Sequence, residues 1–454
     1  MNFSVVILAA GQGKRMYSDL PKVLHPLAGK PLLAHVLQTV ELLKPSQILC
    51  VYGHGGTQVR EAFSEKSISW VHQTEQKGTG HAVAQTLPHI PDDHQVLVLY
   101  GDVPLIQKQT LQNLISLSND QNIAILTVTL ENPTGYGRMV RNEKDEIVQI
   151  VEEKDADEKQ RQIKEGNSGI LIAPALKLKT WLNQLKPNNA QGEYYLTDII
   201  GMAVQENISI LSTQPIDSEE VFGINDRLQL AYMERYFQKK QAEQLMRKGV
   251  TLIDPNRLDV RGNVEVGRDI LIDANVIFEG MIKIGNRVKI GAFCHFKDVS
   301  IGDDVEILPY SIFENATIEK NCKIGPFSRL RPETHLSENV HIGNFVELKK
   351  TTVAKNSKIN HLAYIGDAQI GCDVNIGAGT ITCNYDGANK HQTIIEDRVF
   401  VGSDTQLVAP VTIAEGTTIG AGSTITKDTQ PNSLTLSRSP QKSIANWQRP
   451  VKKK

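Results

Sequence analysis

A chain of 454 residues exceeds what one hydrophobic core organises, since single cores stop growing at roughly 250 to 300 residues, so at least two domains are expected. With 49 Lys+Arg against 51 Asp+Glu, it carries no bulk charge that would draw it to nucleic acid or a membrane surface. The five cysteines, Cys50, Cys294, Cys322, Cys372 and Cys383, are odd in number and form no C-x-x-C pair, which argues for a reducing compartment and against a disulfide framework or zinc site.

The chain opens MNFSVVILAAG, without a basic leader and with an apolar run far short of the ~20 residues of a membrane span, so a cytoplasmic protein is expected. Over residues 4–224, short apolar runs such as 5–8 and 96–100 alternate with helical patterns such as 31–43. Continuous β-branched runs mean strands covered on both faces. That predicts an α/β domain with a Rossmann-like, mostly parallel sheet, whose ligands belong at the carboxyl ends of the strands. Residues 226–248 read as one connecting helix, with Leu230, Met233 and Phe237 on a face, Asn225 and Asp226 as caps, Arg247 and Lys248 in the last turn, and Gly249 beyond.

Past residue 249 the period changes. Aliphatic or aromatic residues recur at every sixth position: Val266, Ile272, Phe278, Ile284, Ile290 and Phe296; then from Ile312 through Ile318, Ile324, Leu330, Leu336 and Ile342 to Leu348; and again from Ile395 through Val401, Leu407, Ile413 and Ile419 to Ile425. Glycine often follows, as at Gly285, Gly291, Gly325, Gly343, Gly377, Gly402 and Gly420. A hexad with one inward aliphatic and a small follower is the signature of a parallel β-helix, each hexad forming one flat side of a coil. A sandwich of short strands competes poorly, because its turns scatter over spacings of about 8 to 12 residues. The polar stretch 382–394, TCNYDGANKHQTI, breaks the register and is expected to loop out of the coil. The expected domains are 1–225, a connecting helix at 226–249, and 250–454.

Gly11-Gln12-Gly13 follows the first predicted strand, with Arg15 and then Pro21-Lys22 close behind. Glycines let backbone N–H groups approach a phosphate, and the two cations suit a triphosphate. A dinucleotide fingerprint would need glycine where Met16 stands, and the Walker pattern G-x-x-x-x-G-K-[ST] is absent. A plain strand-to-helix turn explains the glycines but not two cations at this spacing. Asp102, directly after the run 96–100, reads on its own as a cap or turn residue, or as a metal ligand at the sheet's edge.

The run L-A-A-G-x-G-x-R-M followed by P-K resembles the signature of sugar-1-phosphate nucleotidyltransferases. Downstream, Gln73-Thr74-Glu75-Gln76-Lys77-Gly78-Thr79, Tyr100-Gly101-Asp102, the segment PTGYGR at 133–138, Val151-Glu152, Asn167-Ser168-Gly169 and Asn225-Asp226 resemble that family's uridine and sugar contacts in order. With the hexad half included, nearly the whole chain is similar to the bifunctional N-acetylglucosamine-1-phosphate uridyltransferase/glucosamine-1-phosphate acetyltransferases. The resemblance implies a left-handed hexapeptide β-helix and two reactions. Acetyl-CoA would acetylate glucosamine-1-phosphate, and UTP would convert the product to UDP-N-acetylglucosamine and pyrophosphate for peptidoglycan and lipopolysaccharide synthesis. It also implies that Leu8, Ala9, Ala10, Gly11, Lys22, Gln73, Gly78, Thr79, Tyr100, Gly101 and Asp102 meet UTP, with Gln73, Gly78 and Thr79 reading uracil. Gly137, Glu152 and Asn167 would hold the acetylated sugar, and Asp102 would share Mg²⁺ with Asn225. Catalysis would come from positioning and from charge neutralisation by Mg²⁺, Arg15 and Lys22, with no protein nucleophile.

Acetylating an amine requires its neutral form, a base, and donors for the oxyanion. His361 lies between Lys349-Lys350 and Asn375 and is the expected base. On residues alone a histidine at a coil corner is an ordinary hydrogen-bonded turn residue, and the resemblance decides for catalysis. A zinc role is disfavoured because His335, His341 and His361 lack a short paired spacing. Arg331, Lys349 and Lys390 would bind the sugar phosphate. Lys349 and Lys350 are adjacent, so only one can face the site. By the same resemblance Tyr364 and Asn375 meet the sugar amine, the Ala378 N–H is the oxyanion donor, and Asn384, Tyr385, Ser403, Ala421 and Arg438 meet acetyl-CoA. Ala363 departs from the Ser or Thr expected there. The tail Lys452-Lys453-Lys454 reads as frayed and solvated, with attraction of coenzyme A as the alternative.

The resemblance further implies a homotrimer in which residues 384–390 complete a neighbour's pocket. Two competing readings are a nucleotidyltransferase whose β-helix only assembles or regulates, and a non-catalytic scaffold. His361, Tyr364, Asn375 and the loop at Asn384 count against the first; Arg15, Lys22 and Asp102 count against the second.

Overall fold

The computed structural model describes residues 2–53 and 55–452. Two compact units divide the chain, Met1–Glu234 and Arg235–Lys454. The division falls inside the helix Arg227–Arg247. Asp226 caps that helix, its Oδ1 accepting the Gln229 N–H at 2.8 Å. Of the residues read as its inner face, Met233 is fully buried, whereas Leu230 and Phe237 are half-buried. Further along, Gln238 pairs with both backbone groups of Val260, and Ala242 and Leu245 enter the core of the second unit.

The first unit is built on strands β1 (Phe3–Ala9), β2 (Gln47–Tyr52), β3 (Ser69–His72), β4 (Gln95–Tyr100), β5 (Asn122–Thr129), β6 (Gly137–Arg141), β7 (Ile147–Val151), β8 (Glu165–Pro174) and β9 (Ser209–Thr213). Their spatial order is β9-β5-β8-β4-β1-β2-β3, with β6 joining β8 to β7. The pairs β4-β1, β1-β2, β2-β3 and β9-β5 are parallel, while β8 runs antiparallel between β4 and β5. The sheet is therefore mixed and mostly parallel. Both faces are covered: Val6 and Leu8 of β1 belong to one hydrophobic cluster, Val5 and Ile7 to another. From β1 the chain crosses to β2 on one side and returns to β4 on the other. The carboxyl ends of β1 and β4 thus form the switch point where an open α/β sheet leaves a crevice.

In the second unit, short strands stack in parallel ladders that pair each coil with the next. One inward ladder runs Ile272, Ile290, Ile307, Ile324, Ile342, Ile359, Ile376, Val401, Ile419. This is a parallel β-helix, and its interior is the hexad aliphatics. The six-residue register fails after Phe296. Ile312, expected inside, is 47% exposed, and Phe313 takes the core position at 1%. The cause is two successive short corners: Glu279 pairs with Lys297 but Ile282 pairs with Val299, one residue fewer, and the next coil keeps that count, Lys297 pairing with Glu314 and Val299 with Ala316, which sets Phe313 rather than Ile312 in line with Ile318. Asp298 and Asn315 turn those corners at φ 53 and φ 43, a left-handed conformation that aspartate and asparagine tolerate. Val266, at the first coil, is only half-buried. The looped segment is also shorter than expected, because Ile381–Cys383 and Thr393–Ile395 are strands and only 384–392 leave the coil.

Two aromatic columns follow the helix. Inside, Phe278, Phe296 and Phe313 stack with centroids 5.4 and 4.7 Å apart. Outside, Phe293, Tyr310, Phe327 and Phe345 stack at 5.0, 5.0 and 5.3 Å while remaining about half exposed. No helix among the described residues is long and apolar enough to cross a membrane.

Candidate functional site

The switch point of the first unit carries the glycine turn. Gly13 adopts φ 61, and a Cβ there would lie 2.8 Å from the Lys22 Cβ, so only glycine lets the turn close against Lys22. Arg227 tethers the turn by donating to the Met16 carbonyl at 3.1 Å. The Lys22 ammonium donates to Asp102 Oδ2 and, at 3.1 Å, to Asn225 Oδ1. Lys22 and Asp102 are largely shielded, at 13% and 16% side-chain exposure. Two oxygens from distant segments thus already converge on one cation. A carboxylate and an amide carbonyl are hard donors, and a pair of them suits Mg²⁺, which keeps several of its waters.

A cavity of about 460 Å³ opens here, lined by Leu8, Ala9, Ala10, Gly11, Lys22, Gln73, Gly78, Thr79, Tyr100 and Asp102. A second lobe of about 530 Å³ shares Thr79, Tyr100 and Asp102 with it and adds Arg15, Gly137, Glu152, Asn167 and Asn225. Gly101 lines neither lobe; it lies behind the wall and donates its N–H to the Leu8 carbonyl at 3.0 Å. Gln76, from the motif stretch 73–79, and two residues without a sequence signal of their own, Glu193 and Thr197, complete the walls. Gln76 holds the Ala10 carbonyl at 2.7 Å, Glu193 closes the first lobe, and Thr197 donates its hydroxyl to Glu152 at 3.0 Å. Burial pushes the Glu152 carboxyl above its ordinary pKa; the Thr197 bond opposes this, and the charges of Asp198 and Asp155 add to it. Burial likewise raises the Tyr100 phenol.

In the second unit register does the assembling. His361 pairs with Asn344 one coil earlier, and the inward ladder beside them continues from Ile359 to Ile376, Val401 and Ile419. Two residues past those aliphatics stand Ala378, Ser403 and Ala421. Asn344, His361, Ala378, Ser403 and Ala421 therefore form one column along a corner. Gly377 permits this stacking, since a Cβ there would lie 2.6 Å from the Ser403 nitrogen. The Ala378 carbonyl accepts the Asp404 N–H at 2.7 Å, and Arg438 donates to the Ala421 carbonyl at 2.7 Å. His361 is exposed, with Nδ1 2.9 Å from Asn344 Oδ1.

Cations gather on the next side of the coil, where Lys349 pairs in register with Gly366. Lys390 beside Lys349 holds that ammonium below its usual pKa, and Arg331 adds to the effect. Lys350 lies 3.9 Å from Asp367, and Lys349 is the member of the pair that stands beside Lys390 and Arg331. Arg331 is braced by Glu347 at 2.8 Å, a carboxylate the motif reading missed. Tyr364 and Asn384 both reach the space above Gly366. Asn384 is buried and donates to Asp367 at 2.5 Å. Asn375 sits on the ladder strand Asn375–Ile376, ahead of the corner. The loop forms a small hairpin in which Tyr385 bridges to Lys390. Asp386 accepts from the Ala388 and Asn389 N–H groups and contacts His391 at 2.7 Å, bonds that hold its carboxyl below the usual range. Tyr385 itself is 61% exposed. Of the tail cations Lys452 is exposed, and Lys453 and Lys454 lie outside the described residues.

Comparison with known proteins agrees with this division. A MobA-like NTP transferase domain matches residues 5–165, and the bacterial transferase hexapeptide (six repeats) matches 298–332 and 392–427. The protein is thus a nucleotidyltransferase joined to a hexapeptide transferase. The bifunctional protein GlmU of Azoarcus sp. (strain BH72) is 56% identical over 450 residues, covering 99% of this chain and 100% of that protein. The chain belongs to the bifunctional GlmU family, with nucleotidyltransferase and acetyltransferase units. Among solved structures, a UDP-glucose pyrophosphorylase complexed with UDP-glucose is 19% identical, with a TM-score of 0.42 over 53% of this chain and 100% of that one. A nucleotidyl transferase from Methanothermobacter thermautotroptrophicus is 18% identical, with a TM-score of 0.39 over 53% and 99%. Likenesses so slight carry no weight here.

Proposed function

We propose that the second unit acetylates glucosamine-1-phosphate from acetyl-CoA and the first unit couples the product to UTP, releasing pyrophosphate and UDP-N-acetylglucosamine. The observation that carries this reading is that each unit concentrates cations beside a built pocket or corner, as two phosphorylated substrates require. In the first, the glycine turn, Arg15 and Lys22 receive the triphosphate while Gln73, Gly78 and Thr79 hold uracil. Gly137, Glu152 and Asn167 orient the sugar so that its phosphate oxygen attacks the α-phosphorus in line and pyrophosphate leaves. Asp102 and Asn225 hold Mg²⁺, which neutralises phosphate charge when bound. Lys22, relieved of those two oxygens, is free to turn to the phosphates.

In the second unit Arg331, Lys349 and Lys390 bind the sugar-phosphate dianion, and the repulsion between Lys349 and Lys390 is relieved by that anion. Tyr364 and Asn375 orient the amine, and His361 accepts its proton as nitrogen attacks the thioester carbonyl. The Ala378 N–H meets the oxyanion, and coenzyme A follows the column through Ser403 and Ala421 to Arg438, with Asn384 and Tyr385 beside it. The active form is a cytoplasmic homotrimer. The exposed ladder Phe293, Tyr310, Phe327 and Phe345 supports assembly, because an apolar strip that long is normally covered. It occupies the corner position next to the His361 column, where a neighbour would also bring its 384–390 loop.

Two separate incubations test the reading: glucosamine-1-phosphate with acetyl-CoA, followed by thiol release, and N-acetylglucosamine-1-phosphate supplied directly with UTP and Mg²⁺, followed by pyrophosphate release. His361→Ala should lose thiol release alone and Asp102→Ala pyrophosphate release alone. Loss of both products from either change in a folded protein contradicts two independent sites.

A further inference from the structure

The rung before His361 in its column is Asn344, a residue with no role in the reactions above. Its Oδ1 lies 2.9 Å from His361 Nδ1, and the two backbones are in register one coil apart, 17 residues in sequence. Neutral imidazole carries its proton on one ring nitrogen and a lone pair on the other, and the partner of the first nitrogen sets the role of the second. An amide oxygen accepts. It therefore keeps the proton on Nδ1 and leaves the Nε2 lone pair available.

We infer that Asn344 is a positioning residue for acetyl transfer, holding His361 in the tautomer whose Nε2 can take the amine proton. The inference rests on His361 being the base. Asn344 is itself well placed to be rigid: its carbonyl accepts the Leu362 N–H at 3.1 Å, and the next residue, Phe345, donates to the Phe327 carbonyl at 3.1 Å. The ring is thus gripped from a backbone that the ladder fixes. As the amine nitrogen forms its bond to the thioester carbon, Nε2 takes the N–H proton and Nδ1–H stays on Asn344. When the C–S bond breaks, the thiolate leaves with the proton from Nε2. A neutral acceptor sets the tautomer without trapping the imidazolium, as an aspartate in its place would tend to do. Titratable groups at this face include His341, on the same strand as Asn344, Lys358 on the strand of His361, and Lys323 and Glu306 on earlier coils; His341 is held below its usual pKa mainly by burial, with Lys323, Lys358 and His361 adding and Glu306 opposing.

The test uses the full chain and both product assays. Asn344→Ala should lower kcat for thiol release about 10- to 100-fold, as loss of a ring-orienting partner does elsewhere, with KM for both substrates and the rate of pyrophosphate release unchanged. Asn344→Asp can only accept, so it should retain transfer while moving the acidic limb of the kcat/KM pH profile up by about one unit. Nitrogen NMR should find the His361 proton on Nδ1 in the parent and shared between tautomers in Asn344→Ala. An Asn344→Asp protein as inactive as Asn344→Ala, or an Asn344→Ala protein with undiminished kcat, overturns the inference. Retention of thiol release by His361→Asn instead removes the base assignment on which it stands, whatever the Asn344 variants do.

Discussion

The two sites are assembled by opposite means. The cleft of the first unit draws on segments from Leu8 to Asn225 that meet only because strands β1 and β4 end side by side, and its key contacts are between loops. The corner of the second unit is assembled by repetition: Asn344, His361, Ala378, Ser403 and Ala421 stand together because the aliphatics two residues before each are stacked in register. A substitution in the cleft is therefore a local chemical event, whereas one in the β-helix core disturbs the coils directly above and below it.

The sharpest way to break this contrast is through the chemistry. Asp102→Ala removes the carboxylate that meets Lys22 and should lower pyrophosphate release by about 10³-fold, with thiol release intact. A similar loss of thiol release would mean that the sites are not independent. The next largest effect concerns the core. Phe313→Ala should destabilise the second unit by about 3 to 5 kcal/mol, whereas Ile312→Ala, one residue away, should cost less than about 0.5 kcal/mol. Denaturant melts of the two variants check the corrected register directly, and equal costs would restore the strict six-residue reading.

That pair also shows how far the chain could be read before it was seen. The hexads identified the β-helix because each coil side needs one inward aliphatic, a constraint visible in one dimension. Ile312 was misplaced because the shortened corner at Asn315, like the one at Asp298 a coil earlier, is an event of backbone geometry, and Ile312 and Phe313 are both apolar, so either could have filled the core position. In the first unit the strands were legible as β-branched runs, but the antiparallel course of β8 was not, since a run buried on both faces reads alike in either direction. Within the sites, Lys22, Asp102 and His361 stood out by residue type and motif. Asn344, Glu347, Thr197 and Glu193 did not, because what places them is register or a long-range turn, and none lies in a motif.

A smaller effect sharpens the loop side of the contrast. Gly13→Ala would place a methyl group against Lys22 in a left-handed turn, a conformation that costs a non-glycine residue about 1 to 2 kcal/mol. Pyrophosphate release should fall about tenfold, that energy expressed as a rate, while the melting of the second unit is untouched. An unchanged rate would mean that the turn opens without consequence for Lys22.

The smallest effect tests electrostatics within the cleft. Burial, Asp198 and Asp155 raise the Glu152 pKa against the opposing Thr197 bond, so the folded protein holds that proton more tightly than the unfolded chain does. For a carboxyl raised in this way, the favourable contribution to folding is present below the unfolded value of about 4.3 and is lost as pH rises through the folded value. Glu152→Gln abolishes this titration. The variant should melt above the parent at mildly alkaline pH, and the gap should close as the pH falls toward that of an ordinary carboxyl. The same change replaces an acceptor of sugar hydroxyls by an amide, so KM for the sugar phosphate should rise about threefold to tenfold, the worth of one hydrogen bond. Loop-built sites tolerate such a buried charge because its cost is confined to the cleft. A melting difference that stays flat with pH would show that Glu152 is solvated in the free enzyme and that the sugar lobe is more open than its lining by Gly137, Asn167 and Thr197 indicates.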